Sequence, residues 1–257
     1  MSSLVDWLAL RERFDVAARS TSLTRAVAEA LPSRRPLRIV DLATGIGSNI
    51  RYLSRQLPRP QEWLAIDRDP LLLSQVPAPV ETRCMDLGSL DDALFTDRAL
   101  VTASALLDLV SERWIADLAA RCRAAHAVVL LALTYDGRSH CTPHDPMDDD
   151  VRELFNEHQH RNDKGFGPAA GGDAVQHAIR SFRRAGYDVR HERTDWQLPS
   201  GAREMQTAVL EGWAQAAAEI APSLSGAIAQ WLDRRLAHVE AGRSTIVVGH
   251  EDIAASP

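Results

Sequence analysis

Apolar positions change their period along the chain, and the changes mark out its elements. Over residues 4–31, Leu8, Leu10, Phe14, Val16 and Ala17, then Leu23, Val27 and Leu31, recur at helical spacing. That predicts two helices separated near Ser20-Thr21-Ser22. Pro32 and Pro36 mark a loop. Leu37–Leu42 is an apolar run of strand length, and Ile50-Arg51-Tyr52-Leu53-Ser54-Arg55-Gln56-Leu57 returns to the helical period until Pro58 and Pro60 end it. The alternation repeats. Strands are predicted at 62–67, 80–85, 99–104 and 127–134. Between them come a short helix through Leu73, a helical turn at 90–95, and a helix capped by Ser111 that carries Trp114, Ile115 and Leu118. The run 127–134 is apolar almost throughout, as a strand covered on both faces must be.

Residues 135–172 break the rhythm. They are rich in His, Asp, Gly and Pro around one predicted helix at 148–160, and the segment is too long for an ordinary connection. A lid or functional loop is the expectation. Regular structure resumes with a helix at 173–185, a strand at 187–194, helices at 202–220 and 223–241, and a closing strand at 245–250. Strands alternating with helices predict an α/β fold with a doubly wound, Rossmann-like, mostly parallel sheet and helices on both faces. The length of 257 residues suits a single domain, 1–257. Within it, 36–135 is the expected ligand-binding core, 136–172 the lid, and 202–241 a helical pair that completes a substrate cap.

Composition narrows the partners. A net charge of −6 argues against nucleic acid, which needs a basic surface. Cys84, Cys122 and Cys141 are widely spaced and suggest a reducing compartment without a disulfide framework. No signal-peptide core stands at the N-terminus, and the longest apolar run, 124–133, is interrupted by His126 and far short of a membrane span. A cytoplasmic protein with no membrane partner is expected; the number of subunits is not legible. Lys164 is the only lysine among many arginines.

The chemistry concentrates at strand ends. Asp41 precedes Ala43-Thr44-Gly45-Ile46-Gly47, where glycines permit left-handed backbone and close approach of a ligand. The helix that follows offers free N–H groups at its start. Asp67 ends the second strand, Asp86 the third, and Ser104-Ala105-Leu106-Leu107-Asp108 follows the fourth. In a parallel sheet these points all lie at the carboxyl edge, where ligands bind. An acid at the second strand's tip can accept hydrogen bonds from two ribose hydroxyls, and one at the third can accept from an adenine amine.

This ordered set resembles the class I S-adenosylmethionine-dependent methyltransferases. Their acid-x-Gly-x-Gly-x-Gly motif stands here as Asp41 to Gly47, with Ala43 in place of the first glycine. The resemblance implies a seven-stranded sheet whose last strand is antiparallel and inserted beside the sixth, pairing 244–250 with 187–194. It implies S-adenosylmethionine as cofactor, held by Asp41, Ala43, Gly45, Gly47, Asn49, Asp67, Arg68, Asp86, Leu87, Ser104 and Leu106. It implies methyl transfer; a small-molecule acceptor is expected, with oxygen taken as the methylated atom and nitrogen and carbon left open. A catalytically inactive cofactor-binding protein of the same fold stays open, and so does an NAD(P) dehydrogenase, although Ile50 stands where the latter's pattern needs a third glycine.

The remaining candidates lie in and around the expected lid. His140 and His144 are candidate general bases, and Lys164 a candidate partner for a carboxylate. The pair His140-Cys141 with His144 lacks a second pair at ligand spacing, so no metal is expected. Asp108, Tyr135, Asn156, Gln159 and Phe166 are candidate substrate contacts. Arg11, Asp15 and Arg19 share one helical face, either as an ion-pair ladder or as an arginine laid toward the cofactor. Trp213 and Trp231 read as core.

Overall fold

The structure is a computed structural model that describes residues 3–32, 36–161, 163 and 165–257. Helices α1 (Leu4–Ala18) and α2 (Thr21–Ala30) lead into β1 (Leu37–Leu42), α3 (Ser48–Gln56), β2 (Gln61–Asp67), α4 (Pro70–Leu73) and β3 (Glu81–Cys84). There follow β4 (Leu100–Ser104), α5 (Glu112–Ala124), β5 (Val128–Thr142), α6 (Asp148–Arg161), α7 (Ala174–Arg184) and β6 (Asp188–Arg193). The chain closes with β7 (Trp196–Leu198), α8 (Arg203–Ile220), α9 (Ser225–Glu240) and β8 (Thr245–Ser256). Most predicted elements stand where hydrophobic period placed them. Ser3, Ser20 and Ser111 cap their helices by accepting a backbone N–H from the first turn.

The sheet order is β3-β2-β1-β4-β5-β8-β6, with β7 also on β8. The first five strands are parallel, and β8 runs antiparallel to β5, β6 and β7. The antiparallel strand is thus inserted as expected, but the pairing differs. β6 pairs with the second half of β8, from Arg193 opposite Glu251 to Asp188 opposite Ser256. The first half pairs with β7, a strand that three residues of pattern do not announce. β8 runs on through the charges of Glu251 and Asp252, which read in sequence as a strand end.

β5 also outruns its prediction, continuing from Thr134 to Thr142. Of the expected lid, 136–142 is therefore strand. Its ladder with β8 shifts register between Leu131 and Thr134 and again between Tyr135 and Ser139. Leu133 adopts φ of 51° at the first break.

Asp252 holds that break. It is fully buried, and its Oδ1 accepts from the Leu133 N–H (2.7 Å) and the Thr194 hydroxyl (3.0 Å). Its Oδ2 accepts from the Ser20 N–H (3.0 Å) and lies 3.4 Å from Arg19 Nε. One carboxylate thus ties the α1–α2 junction to β5, β8 and the loop after β6.

Apolar cores fill three spaces. α5 and α7 cover one face of the sheet through Ile115, Leu118, Ile179 and Phe182. On the other face α2 and α3 bury Leu23, Val27, Ile50 and Leu53. A third core joins α6, α8 and α9 to β7 and β8 through Met205, Leu210, Trp213 and Trp231. Its polar clamp is Asp148 at the start of α6, which accepts from the Trp231 indole (2.9 Å) and pairs with the fully buried Arg235. No helix among the described residues is long and apolar enough to cross a membrane.

Asp252→Ala would leave three hydrogen-bond donors and the Arg19 guanidinium, from three segments, without their shared carboxylate. The expected loss is about 3–5 kcal/mol, because one partner of a buried ion pair is removed. The melting temperature should fall by roughly 10 °C. Urea unfolding and calorimetry check both.

Candidate functional site

The glycine turn is built from a buried acid outward. Asp41 ends in the sheet with no exposed surface, and its two oxygens accept from Thr44 Oγ1 (2.6 Å) and Asn49 Nδ2 (2.7 Å). Asn49 also donates to Thr102 Oγ1 (3.1 Å) and accepts from Arg19 Nη1 (2.7 Å). Asp41 and Asn49 therefore shape the turn from beneath, and their side chains are spent on that task. Burial pushes the Asp41 carboxyl up to about 6, against the pull of Thr44, Asn49 and Arg19.

Above them the backbone is left-handed at Ala43 (51°), Gly45 (58°) and Gly47 (79°). Gly47 caps α3 without a side-chain bond, so the helix start keeps free N–H groups. The alanine that replaces the usual glycine thus sits in a conformation that costs a Cβ-bearing residue about 1 kcal/mol.

Asp67, at the tip of β2, lies beside the turn. Its Oδ2 accepts from the Gly45 N–H (2.9 Å) and its Oδ1 from the Asp69 N–H (3.0 Å). Each oxygen keeps a further lone pair. Asp86 is exposed and accepts from the Gly88 N–H (2.7 Å), and Arg68 is exposed nearby in sequence at the end of β2. Leu87 and Leu106 are core residues; the Leu87 carbonyl accepts from the Trp114 indole (2.7 Å). Ser104 lines a small recess with Arg19, Asn49 and Tyr52.

Beside the turn, past the end of β4 and at the break in β5, lies a cavity of about 590 Å³. α1 contributes Trp7, Leu8 and Arg11, the segment after β4 contributes Asp108, and the break in β5 contributes Leu133 and Tyr135. α6 and α8 contribute Phe155, His158, Gln159, Trp213 and Glu219. Trp196, Val248 and His250 close it from β7 and β8. Leu8 belongs to both places: a Cβ on Gly45 would stand 3.2 Å from its Cδ1.

Of the expected substrate contacts, Asp108, Tyr135 and Gln159 line this cavity. Asn156 stands behind it, accepting from the Tyr135 hydroxyl (2.8 Å) and donating to the Gly137 carbonyl (3.0 Å). Burial holds the Tyr135 phenol above its ordinary range, so it remains a neutral donor. Phe166 packs edge-on against Trp114 (5.9 Å between centroids) and is not a cavity residue.

The candidate bases lie elsewhere. His140 is exposed on β5 near Thr142 (3.4 Å), and His144 is exposed with Nδ1 3.6 Å from Asp148. Strand continuation carries both away from the cavity that the loop reading placed them in. Lys164 lies outside the described residues. The ladder on α1 is half formed: Arg11 pairs with Asp15 (2.9 Å), whereas Arg19 turns inward to Asn49 and Asp252.

The pattern missed His250. It is buried, its Nδ1 lies 3.0 Å from the Val248 carbonyl, and its ring stands 4.7 Å from that of Trp196. Burial first, then the nearby Arg11 charge, lower its pKa to about 3. The only sequence signal was a histidine ending an apolar run. Trp196, Phe155 and Trp213 likewise became cavity walls only through packing.

No protein-family model and no curated protein matches the sequence. Among solved structures, the YcgJ protein of Bacillus subtilis is similar at 12% identity and a TM-score of 0.50, over 92% of this chain and 99% of that one. An S-adenosylmethionine-dependent methyltransferase from Thiobacillus denitrificans, solved with S-adenosylhomocysteine, aligns over the whole of both chains at 15% identity and a TM-score of 0.44. A cyclopropane synthase from Mycobacterium tuberculosis aligns over 98% of this chain and 95% of that one, at 10% identity and a TM-score of 0.49. Identities at this level speak to the fold alone. That fold, a Rossmann-like α/β sheet with an inserted antiparallel strand, is the one that the sequence resemblance implied.

Two outcomes follow for the turn. Ala43→Gly should stabilise the protein by about 1 kcal/mol by relieving the left-handed alanine, and chemical denaturation checks it. Between the ordinary Asp41 value of 3.8 and its folded value of about 6, the folded chain holds a proton that the unfolded chain has released. Stability contributed by this group therefore falls as pH rises through that window, by about 3 kcal/mol. Unfolding free energies of the protein and Asp41→Asn, compared at pH values across it, should show that difference in slope.

Proposed function

We propose that the protein is an S-adenosylmethionine-dependent methyltransferase acting on a small molecule, with oxygen as the methylated atom. The observation that carries this reading is the double role of Leu8, which covers Gly45 and lines the 590 Å³ cavity. A ligand tail on the glycine turn and an acceptor in the cavity would be neighbours across that one side chain.

The residues present suit the cofactor. The spare lone pairs of Asp67 suit two ribose hydroxyls, and Gly45, with no Cβ of its own, would admit a chain against the backbone once Leu8 moves aside. Asp86 and the Leu87 backbone suit the adenine edge, and the free N–H groups of α3 suit a carboxylate. Leu8 must yield for any ligand to lie against Gly45. When bound, the sulfonium supplies an electrophilic methyl group. The protein's own share is alignment and exclusion of water. Trp7, Leu8 and Phe155 wall the cavity, and Tyr135, whose hydroxyl hydrogen is given to Asn156, adds a fixed aromatic ring.

The three free cysteines, two of them buried, support a reducing compartment such as the cytoplasm.

The test is calorimetry with S-adenosylhomocysteine and, separately, NADH. Binding of the first and not the second is expected. Asp67→Ala should weaken it at least tenfold, about 1.4 kcal/mol. A protein that binds neither, or NADH alone, would sink the reading, and turnover of any acceptor would exclude an inactive binding protein.

A further inference from the structure

The acceptor's chemistry can be read further from the cavity walls; its role as methyl acceptor rests on the reading above, its binding does not. We propose that the cavity takes a flat aromatic or heteroaromatic molecule bearing an O–H or N–H, and that Nε2 of His250 accepts that hydrogen.

The tautomer follows from one contact. The Val248 carbonyl can only accept, so Nδ1 of His250, 3.0 Å away, carries the proton. In the neutral ring Nε2 is then the acceptor, and the ring lines the cavity. Its surroundings keep it neutral. Arg11 of α1 and Arg138 of β5 disfavour the cation. Asp195, between β6 and β7, favours it, but Arg138 already engages that carboxylate at 2.7 Å and 3.2 Å, and the His250 N–H takes it at 3.2 Å. The fourth neighbour, Tyr135, is an uncharged phenol 6.2 Å from the ring between centroids. The low pKa of His250 agrees with this balance.

A neutral ring nitrogen in a half-closed cavity is an acceptor at any ordinary pH. It is too weak a base to keep a proton, so its role is positioning and selection. It disfavours a carboxylate at that point and favours a hydroxyl or ring N–H, because a ligand without one leaves the buried nitrogen unpaired.

The walls select flatness. Tyr135 meets Phe155 at 5.6 Å, Phe155 meets Trp213 at 6.2 Å, and Trp7 meets Trp196 at 6.4 Å. All five rings line the one cavity. Aromatic faces and edges gain most from another ring. Arg11 is held over Trp196 (5.0 Å) and by Asp15, so it stiffens a wall.

The experiment uses the full chain without cofactor and two probes, 2-naphthol and 2-methoxynaphthalene, titrated by calorimetry. 2-Naphthol should bind at least tenfold more tightly than its methyl ether. That preference should be the same at about pH 5 and about pH 8, where an ordinary histidine would titrate. His250→Phe should bring 2-naphthol down to the ether's affinity, and His250→Gln, which keeps an acceptor oxygen, should restore part of the preference. Circular dichroism checks folding, and the Gln variant decides if the Phe variant does not fold. Failure of both probes to bind the unaltered protein, equal binding, or a preference that survives in both variants would overturn the proposal. Because no cofactor is present, a protein that fails to bind S-adenosylhomocysteine yet discriminates the probes would overturn the methyltransferase reading alone.

Discussion

A line of buried polar contacts runs beneath the carboxyl edge of the sheet, and the positions of the turn and the cavity depend on it. Thr44 and Asn49 bond Asp41, Arg19 bonds Asn49, and Arg19 reaches Asp252, which gathers Ser20, Leu133 and Thr194. In a low-dielectric interior each member left unpaired would cost more than the contact gains. The line therefore constrains elements far apart in the chain to one arrangement. It also explains why two acids and an arginine can lie where apolar residues are the rule.

The cavity inherits its shape from this constraint. Arg19 and Ser20 fix where α1 ends, so α1 must run across the glycine turn and bring Leu8 and Arg11 to the cavity. The Leu133 N–H held by Asp252 sets the break in β5, after which Tyr135 enters the same space. Strain is local and matches the bends: Ala43 and Leu133 both adopt positive φ where the chain turns around the site. On the far side, the Asp148 clamp to Trp231 and Arg235 seats α6, which carries Phe155 and Gln159. The aromatic walls are thus held by polar anchors behind them, and Asn156 does the same for Tyr135.

Local chemistry was enough to read the alternating elements, the glycine turn and the acid beside it. Such features depend on neighbours within a few residues: a period of two or 3.6, a proline, a serine cap. Asp67 beside Gly45 could be anticipated because parallel strands bring their ends to one edge whatever the rest of the chain does. Asp41 was legible as a member of the motif, but its place beneath the turn was not, since only burial separates a positioning acid from one that meets a ligand.

What tertiary structure alone decided lies in pairing and packing. Glu251 and Asp252 look like the end of a strand, yet β8 passes through them because three donors and the Arg19 charge, from distant segments, satisfy Asp252. β7 is too short to have a period and exists because β8 offers it an edge. His140 and His144 fell in what read as a loop, and continuation of β5 along β8 takes them to the surface. His250 ends an ordinary apolar run; it became a fixed, neutral acceptor only when Val248, Trp196 and two arginines closed around it. Hydrophobic period is a property of adjacent residues, whereas burial, tautomer and charge state belong to the contacts that folding brings together.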